Sequence, residues 1–448
     1  MNERILVLVA GAAATAWAFS RWRRALVAAM VMVVAEGAIR KWLVPGAQDL
    51  VYFAKDVLLL GVYAGFLADR RAIRVRVPPP LVAGTVAGMF LGALQIFNPN
   101  LPNVLVGILG FKAYFLYVPL VWVVPAAFED DRELARFLSR YAWLAIPIGL
   151  LALAQFASPA SSRLNTYARG GAEAGMITTF GTSQQVRVTG TFSYISGYTS
   201  YLLIIAFLVL AILATTRWRW RGNAGHYAAL GLTLLGMLMS GSRGPVFLLV
   251  LLFPLYAWLS IAREEGGVST LGRLLLGAAV VVVLINFVSA EAVEAFYGRA
   301  HGTQDLSQRL ISPFLHPFEL VGEVGPLGFG IGASHQTAEA VTRGIPAYSW
   351  LKGLRLEDEP SRVMVELGPL GFLAVYFVRV YLIFLAGGLV FRLRTRFHRA
   401  LATTCTLVFL AHLPGAVVFN ITAGVYLWFF AGLLMLAKRL DERLVPIT

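Results

Sequence analysis

The residues best suited to chemistry lie in one polar interval, residues 289–371. It contains three consecutive carboxylates, Glu357, Asp358 and Glu359, placed just before an apolar run. A carboxylate beside a cavity can act as a general base, and we expect one of these three to do so. Three acids at a helix start also favour the helix itself, so a purely structural role stays open. His335 is the second candidate base, although a lone loop histidine is more often structural.

The polar interval also predicts a folded unit. A long loop in a compact protein is either functional or disordered, and aromatic residues such as Phe314 and Phe318 argue for a core of its own. We therefore predict a partly helical cap over residues 291–362. Its glycine-rich stretch, 325–335, indicates close approach to another backbone, because no strand–helix–strand unit surrounds it as a dinucleotide site requires.

Two arginines outside this interval sit in motifs suited to phosphate. Arg187 lies in RVTGTF, and Arg243 lies in SGSRG between two apolar runs. The planar guanidinium matches phosphate oxygens with two parallel hydrogen bonds. A turn that simply fixes two helices is the alternative for Arg243.

A third basic group accompanies the EGAIRKW stretch. Glu36 and Arg40 are one helical turn apart, in a favourable order for an ion pair. The group could form an electropositive seat for a diphosphate or a structural salt-bridge cluster, and the sequence leaves both open. Its other charged members are expected to be Lys41, Lys55, Asp56 and Lys112.

Composition places the chain in a membrane. Hydrophobic residues make up 58% of the 448 positions and charged residues only 14%, which excludes an ordinary soluble protein. The net charge of +14 would indicate nucleic acid in a soluble chain, but here we expect no nucleic-acid partner and assign the charge to cytoplasmic loops. Cys405 is the one cysteine, so no intrachain disulfide can form.

Apolar runs of about 17 to 25 residues predict membrane-spanning helices. We expect 12 or 13 spans in an all-α polytopic membrane protein, with the cap between the tenth and eleventh. The first run could pass for a cleaved signal peptide, but the arginines that follow it favour a retained span. The predicted spans are 5–20, 25–44, 51–68, 81–97, 104–127, 140–157, 196–215, 226–241, 244–262, 274–290, 363–391, 400–417 and 421–437.

Basic residues predict the orientation. When the loops alternate sides, 22 of the 38 basic residues fall in seven loops on one side, which the positive-inside rule makes cytoplasmic. The C-terminus is then cytoplasmic, and the N-terminus and the cap are periplasmic. The predicted organisation is N-terminal spans 1–157, a periplasmic loop 158–195, central spans 196–290, the cap 291–362 and C-terminal spans 363–448.

The motifs from Arg187 to Gly371 together resemble the O-antigen ligase and Wzy-type polysaccharide polymerase superfamily. RVTGTF, SGSRG, the SQRL containing Arg309, PLGFGIG and VELGPLG follow one another in order, with matching sidedness. The resemblance implies a metal-independent, cofactor-free glycosyltransferase of the bacterial inner membrane. It would move a glycan from undecaprenyl diphosphate to an acceptor at the periplasmic face, while Arg187, Arg243 and Arg309 hold the diphosphate.

One departure from the family pattern concerns the base. Ligase-like members often carry a His-Asn pair where this chain has Glu357 and Asp358. We expect a carboxylate of the acidic triplet to replace that histidine, with relocation to His335 as the alternative. Arg362, at the entry to the following span, joins the expected diphosphate-binding residues.

Several functions remain open at the level of sequence. We expect a polymerase of lipid-linked repeat units for exopolysaccharide or O-antigen, and a ligase that transfers glycan to lipid A core or protein is the first alternative. A lipid-linked oligosaccharide flippase and a non-catalytic scaffold are the others. The expected partners are the undecaprenyl diphosphate-linked glycan, the lipid bilayer, and assembly proteins such as a flippase or a chain-length regulator.

Overall fold

The protein is a polytopic helical membrane protein. The computed structural model describes residues 3–101, 103–168, 179–180, 185–215, 220–261, 272, 306–334, 356 and 358–444. Seven helices in this part of the chain are long and apolar enough to cross a membrane, or eight if the bent pair α6–α7 counts as one span. The helices are α1 Glu3–Ser20, α2 Trp22–Ala38, α3 Gln48–Val51, α4 Ala54–Ala68, α5 Pro79–Gln95, α6 Val104–Phe115, α7 Leu120–Ala127, α8 Asp131–Trp143, α9 Ala145–Phe156, α10 Ile195–Thr215, α11 Trp220–Met239, α12 Arg243–Ile261, α13 Leu306–Glu319, α14 Val321–Val324, α15 Glu359–Arg392, α16 Arg396–Ala411 and α17 Ile421–Glu442.

The predicted spans and the observed helices agree in position more closely than in number. A helix lies at each predicted span that the structure describes, and the predicted span 274–290 lies outside the described residues. α2 and α5 have 17 residues each, near the lower limit for crossing the apolar layer. The count of 12 or 13 therefore stays a prediction, while the polytopic helical class is confirmed.

Some basic residues predicted in loops lie on helices instead. Arg132, Arg136 and Arg140 belong to α8, which begins at Asp131 and continues into α9 as one span of 26 residues. The helix starts early because the Asp130 carboxylate accepts a hydrogen bond from the Glu133 amide at 2.8 Å. These arginines still occupy the cytoplasmic end of the predicted topology.

Two helices form the centre of the bundle. α10 and α17 are 83% buried over their apolar windows, whereas α1 is only 6% buried. α1 lies at the periphery and packs along α4, where Gly61 and Gly65 leave room for the backbone of α1 at Thr15 and Phe19. The lipid-facing surface of the bundle is therefore largely made by the outer helices.

The longest helix, α15, is broken where the glycine-rich stretch meets it. Gly368 has φ +66°, and Pro369 follows it and lacks an amide hydrogen. The break frees the carbonyls of Val365 and Glu366, which accept hydrogen bonds from Phe329 N at 2.8 Å and Gly330 N at 3.0 Å. The glycine-rich stretch thus completes the hydrogen bonding of the broken helix, as the predicted close approach of two backbones requires.

Candidate functional site

A histidine contacts the start of α15. His316, on α13, has its Nδ1 2.9 Å from Ser361 Oγ and 3.4 Å from Asp358 Oδ2. The Asp358 carboxylate also caps α15 by accepting from the Ser361 amide at 2.7 Å. The His316 side chain is 31% exposed, and none of the described residues places a hydrogen-bond partner on its Nε2. We call His316, Asp358 and Ser361 the histidine junction.

The neighbouring carboxylate, Glu359, is fully engaged in the fold. Its Oε1 forms a buried ion pair with Arg379, and its Oε2 accepts from the backbone amides of Val417, Val418 and Phe419 at 2.6, 2.8 and 3.1 Å. With one oxygen paired to a guanidinium and the other bound by three amides, this buried carboxylate presents no free oxygen to a substrate. Glu359 is therefore a structural anchor, and we correct its assignment as a candidate base.

The glycine-rich stretch has a structural role. Its glycines at 325, 328, 330 and 332 all adopt positive φ. A Cβ on Gly332 would stand 2.6 Å from a carbonyl of α6, so the chain can pass α6 at this point only as glycine. Ser334 then donates twice to the buried Glu366 carboxylate, from its amide and its hydroxyl, and Tyr114 donates a third hydrogen bond.

The two arginine motifs predicted from sequence lie against each other. Arg187 donates from Nε to the Ser240 carbonyl at 2.9 Å and from Nη2 to Ser242 Oγ at 3.0 Å. Gly241, at φ +64°, makes the turn that leads into Arg243 at the start of α12. Arg187 therefore holds the turn, and both arginines are half-buried.

The EGAIRKW group forms a compensated set of buried charges. Glu36 pairs with Lys55 and, at 3.6 Å, with Arg40, while Asp56 pairs with Lys112 at 2.5 Å. We call Glu36, Arg40, Lys55, Asp56 and Lys112 the N-terminal charge cluster. Because each cation has a carboxylate partner, this cluster matches the structural alternative rather than an open seat for diphosphate.

Lys41 differs from the cations of that cluster. It is buried, and it donates to Thr189 Oγ1 at 3.0 Å and to the Gly190 carbonyl at 2.8 Å. Among the described residues no carboxylate pairs with it. Arg40 reaches the same segment through Ser193 Oγ at 2.9 Å. The EGAIRKW stretch therefore packs directly on the segment that carries Arg187, a contact that the sequence did not predict.

One short segment connects the arginine motifs with the histidine junction. Asn420 donates to Ser196 O at 3.0 Å and Ser200 Oγ at 2.9 Å at the start of α10, and residues 417–419 bind Glu359 at the start of α15. The starts of α10, α12, α15 and α17 therefore share one end of the bundle, which we call the outer end because the predicted topology makes it periplasmic. Both candidate groups lie there, as the predicted sidedness requires.

Below the Glu359–Arg379 pair lies an apolar cleft. It is small, with a cavity volume of about 40 Å³, and lies between α5, α6, α15 and α17. Tyr114 and Arg379 supply its polar edge, and Gly84, Gly88 and Ala374 keep it open. Its composition suits hydrocarbon rather than a charged group.

Comparison with known proteins gives no evidence on function, so the function is inferred from the geometry of the site. No protein-family model and no curated protein matches this chain. The resemblance to the O-antigen ligase and polymerase superfamily therefore stays an expectation based on the motifs.

Of the other predicted site residues, the structure describes the side chain of Arg362 but not those of Arg309, Glu357 and His335. Arg362 donates to the Leu356 carbonyl at 2.9 Å and lies over the Phe419 ring, so it helps to hold the entry to α15. Arg309 belongs to α13, but its side chain lies outside the described part, as do Glu357 and His335. The described residues hold no group of three or more His, Cys, Asp or Glu side chains that could bind a metal.

His316 was not among the bases predicted from the sequence. The signal was present, because the apolar residues of 306–319 recur with a helical period and His316 lies opposite them. Phe314 and Phe318 were instead predicted to belong to a core of the cap, so the one-sided pattern was not recognised. The structure shows Phe314 and Phe318 to be 50% and 62% exposed, so the prediction that they form a core is wrong.

Proposed function

We propose that this protein is a glycosyltransferase that polymerises undecaprenyl diphosphate-linked oligosaccharides at the periplasmic face of the bacterial inner membrane. The observation that carries the proposal is the histidine junction at the outer end of the bundle, where the arginine motifs also lie. The His316 imidazole is partly exposed and is held by Asp358 and Ser361, so it can exchange a proton with a substrate. Guanidinium groups at the same end can accept a diphosphate.

In this proposal His316 is the general base. With the Nδ1 hydrogen directed at Asp358 and Ser361, Nε2 carries the free electron pair and takes the proton of the acceptor hydroxyl. The acceptor oxygen forms its bond to the anomeric carbon as the bond from that carbon to the diphosphate oxygen breaks. Asp358 then stabilises the imidazolium by its negative charge. This role replaces the expected carboxylate base with a histidine that a carboxylate orients.

The departing group is a lipid diphosphate, which keeps the electron pair of the broken bond. Arg187 and Arg243 would stabilise its growing negative charge, since charge-assisted hydrogen bonds from guanidinium to phosphate are strong. The Ser240 carbonyl and the Ser242 hydroxyl fix the Arg187 side chain before the donor arrives. Lys41 lies next to the same segment and donates to Thr189 Oγ1 and the Gly190 carbonyl, which helps to fix the backbone that carries Arg187.

The rest of the donor is a long isoprenoid chain. The apolar cleft under the Glu359–Arg379 pair holds only about 40 Å³, so it could take no more than a small part of such a chain. Its lining is mostly apolar, which fits a lipid-linked donor better than a soluble sugar nucleotide.

Elongation by the purified protein tests the proposal. The protein is reconstituted with a synthetic undecaprenyl diphosphate oligosaccharide, and products are separated by size. We expect a ladder of products with wild type and none with Arg243→Ala, while Arg243→Lys keeps part of the activity. Unchanged polymer length and yield with Arg243→Ala would overturn the proposal.

The same assay separates the alternatives. A ligase would give a single transfer, and only when lipid A core or another acceptor is supplied. A flippase would give no new glycosidic bond and would instead move labelled substrate across the vesicle membrane. A scaffold would give neither result.

A further inference from the structure

Helix α13 carries an apolar face that no described residue covers. Ile311, Phe314, Leu315 and Phe318 are 52%, 50%, 56% and 62% exposed. Their spacing of i, i+3, i+4 and i+7 places them on one side of the helix. A face of this size in contact with water would be costly, at roughly 25 cal/mol for each Å² of apolar surface.

The opposite side of α13, with Ser312, Pro313, His316 and Pro317, is less exposed and contacts the protein. His316 lies there and contacts Ser361 and Asp358 at the start of α15. The helix is therefore amphipathic in the arrangement of an interfacial helix, with one face toward the bundle and the other facing away from it.

The apolar face of α13 continues the lipid-facing surface of α15. The Phe318 ring lies 6.0 Å from the Phe372 ring, with the two planes nearly perpendicular. Phe372 belongs to the part of α15 beyond the break at Gly368, where Leu370 and Leu373 are 57% and 61% exposed. Because α15 is long and apolar enough to span the membrane, we expect the exposed surface at Leu370 and Leu373 to face hydrocarbon. Phe318 meets it at the same depth.

We propose that the apolar face of α13 is embedded in the outer leaflet of the bilayer, with lipid hydrocarbon as its partner. In this proposal α13 enters the membrane, whereas the sequence predicted a cap that rests on the membrane surface. The embedded face also positions His316, on the other side of the helix, near the plane of the lipid headgroups.

The depth of His316 has a consequence that rests on the proposed function. A base near the headgroup plane can reach an anomeric carbon joined to a lipid diphosphate, whose phosphates lie in that plane. A sugar nucleotide in solution carries no anchor that would hold it at this depth. The embedded helix thus selects lipid-linked donors by depth.

Site-directed fluorescence measures this depth. Cys405→Ala removes the one native thiol, and single cysteines are then introduced by Phe314→Cys, Leu315→Cys and Phe318→Cys for labelling with an environment-sensitive dye. Leu373→Cys serves as the lipid-facing control, and Glu323→Cys, at an exposed acid on α14, serves as the aqueous control. The full-length protein is reconstituted in phosphatidylglycerol and phosphatidylethanolamine vesicles, and only variants that elute as a single species are compared.

We expect labels at 314, 315 and 318 to be quenched by spin-labelled lipid as strongly as the label at 373, and to be shielded from iodide. Iodide quenching equal to that at 323 would place the face in water and overturn the proposal. Quenching by neither agent would show that another part of the chain or a second copy covers it, which also overturns it. Lipid quenching combined with a fully active His316→Ala variant would refute the proposed function and leave the embedding intact.

Discussion

The N-terminal charge cluster and the histidine junction show two ways in which a membrane protein holds ionisable groups. In the cluster, Glu36 and Asp56 are each paired with cations, and all three side chains of the Glu36 set are less than 10% exposed. In the junction, His316 is 31% exposed, and the described residues contact only one of its ring nitrogens. Charges that satisfy one another stabilise the fold. A group with an open site is free to act on a substrate, so the two regions should respond differently to substitution.

The largest expected effect on activity is that of His316→Ala. Loss of the general base should lower the rate of glycan elongation by about 10²- to 10⁴-fold. The unfolding temperature should change little, because the side chain is partly exposed. Initial rates with the reconstituted protein and thermal unfolding in detergent measure the two quantities.

The matched control for that substitution is Glu323→Ala, which removes an exposed ionisable side chain a short distance along the chain. It should leave both rate and stability near those of wild type. Equal rates for His316→Ala and Glu323→Ala would remove His316 from the mechanism. An equal loss in both would show that the region tolerates no change, and would leave no special role for the imidazole.

Glu36→Ala, in the N-terminal charge cluster, should lower stability and leave the elongation rate unchanged, the reverse of the effect expected for His316→Ala. This change leaves Lys55 and Arg40 buried without their carboxylate, which typically costs about 3 to 5 kcal/mol of stability. Protein that remains folded should keep its rate per molecule. Thermal unfolding and the rate normalised to folded protein test both parts.

The control here is an ion pair at the surface. Lys438 and Glu442 are 3.8 Å apart and largely exposed, so Glu442→Ala should cost at most about 1 kcal/mol. If Glu36→Ala were as mild as Glu442→Ala, the cluster would not be a stabilising unit. A seat for diphosphate would then become the better explanation of its cations.

The general fold could be predicted because one physical requirement governs it. A span must present about 20 apolar residues to lipid, and the runs at α10, α12 and α17 are visible in the sequence for that reason. The break in α15 was less visible. Gly368 and Pro369 signal a break, but the partner that completes the hydrogen bonds lies about 40 residues earlier, at Phe329 and Gly330.

The candidate site was harder to predict, as Asp358 and Glu359 show. They are adjacent and chemically alike, yet Asp358 caps the helix and faces His316 while Glu359 points into the bundle. Their difference comes from Arg379 and from the backbone at 417–419, which only the tertiary fold brings near. The sequence around residues 358 and 359 does not indicate those contacts, because their partners are distant in the chain.

Substitution of Asp358 should have a moderate effect on the elongation rate. Two variants separate its role in the helix cap from its role beside His316. Asp358→Ala removes the helix cap, at a cost of about 1 kcal/mol, whereas Asp358→Asn keeps a capping oxygen. Both remove the negative charge that faces His316, so both should lower the elongation rate by about tenfold, which corresponds to about 1.4 kcal/mol. A normal rate with Asp358→Asn would mean that Asp358 serves the helix alone.

Ser361→Ala should give the smallest effect and the sharpest comparison. The buried hydroxyl lies 2.9 Å from His316 Nδ1, and one neutral hydrogen bond of this kind is worth about 0.5 to 1.5 kcal/mol. The rate should therefore fall only a few-fold, and Ser361→Thr should restore it. If Ser361 acts by orienting the imidazole, its loss must have no effect once His316 is alanine, because coupled residues are not additive. A second drop in the double variant would show that Ser361 stabilises α15 instead, which would assign the serine to the same structural class as the N-terminal charge cluster.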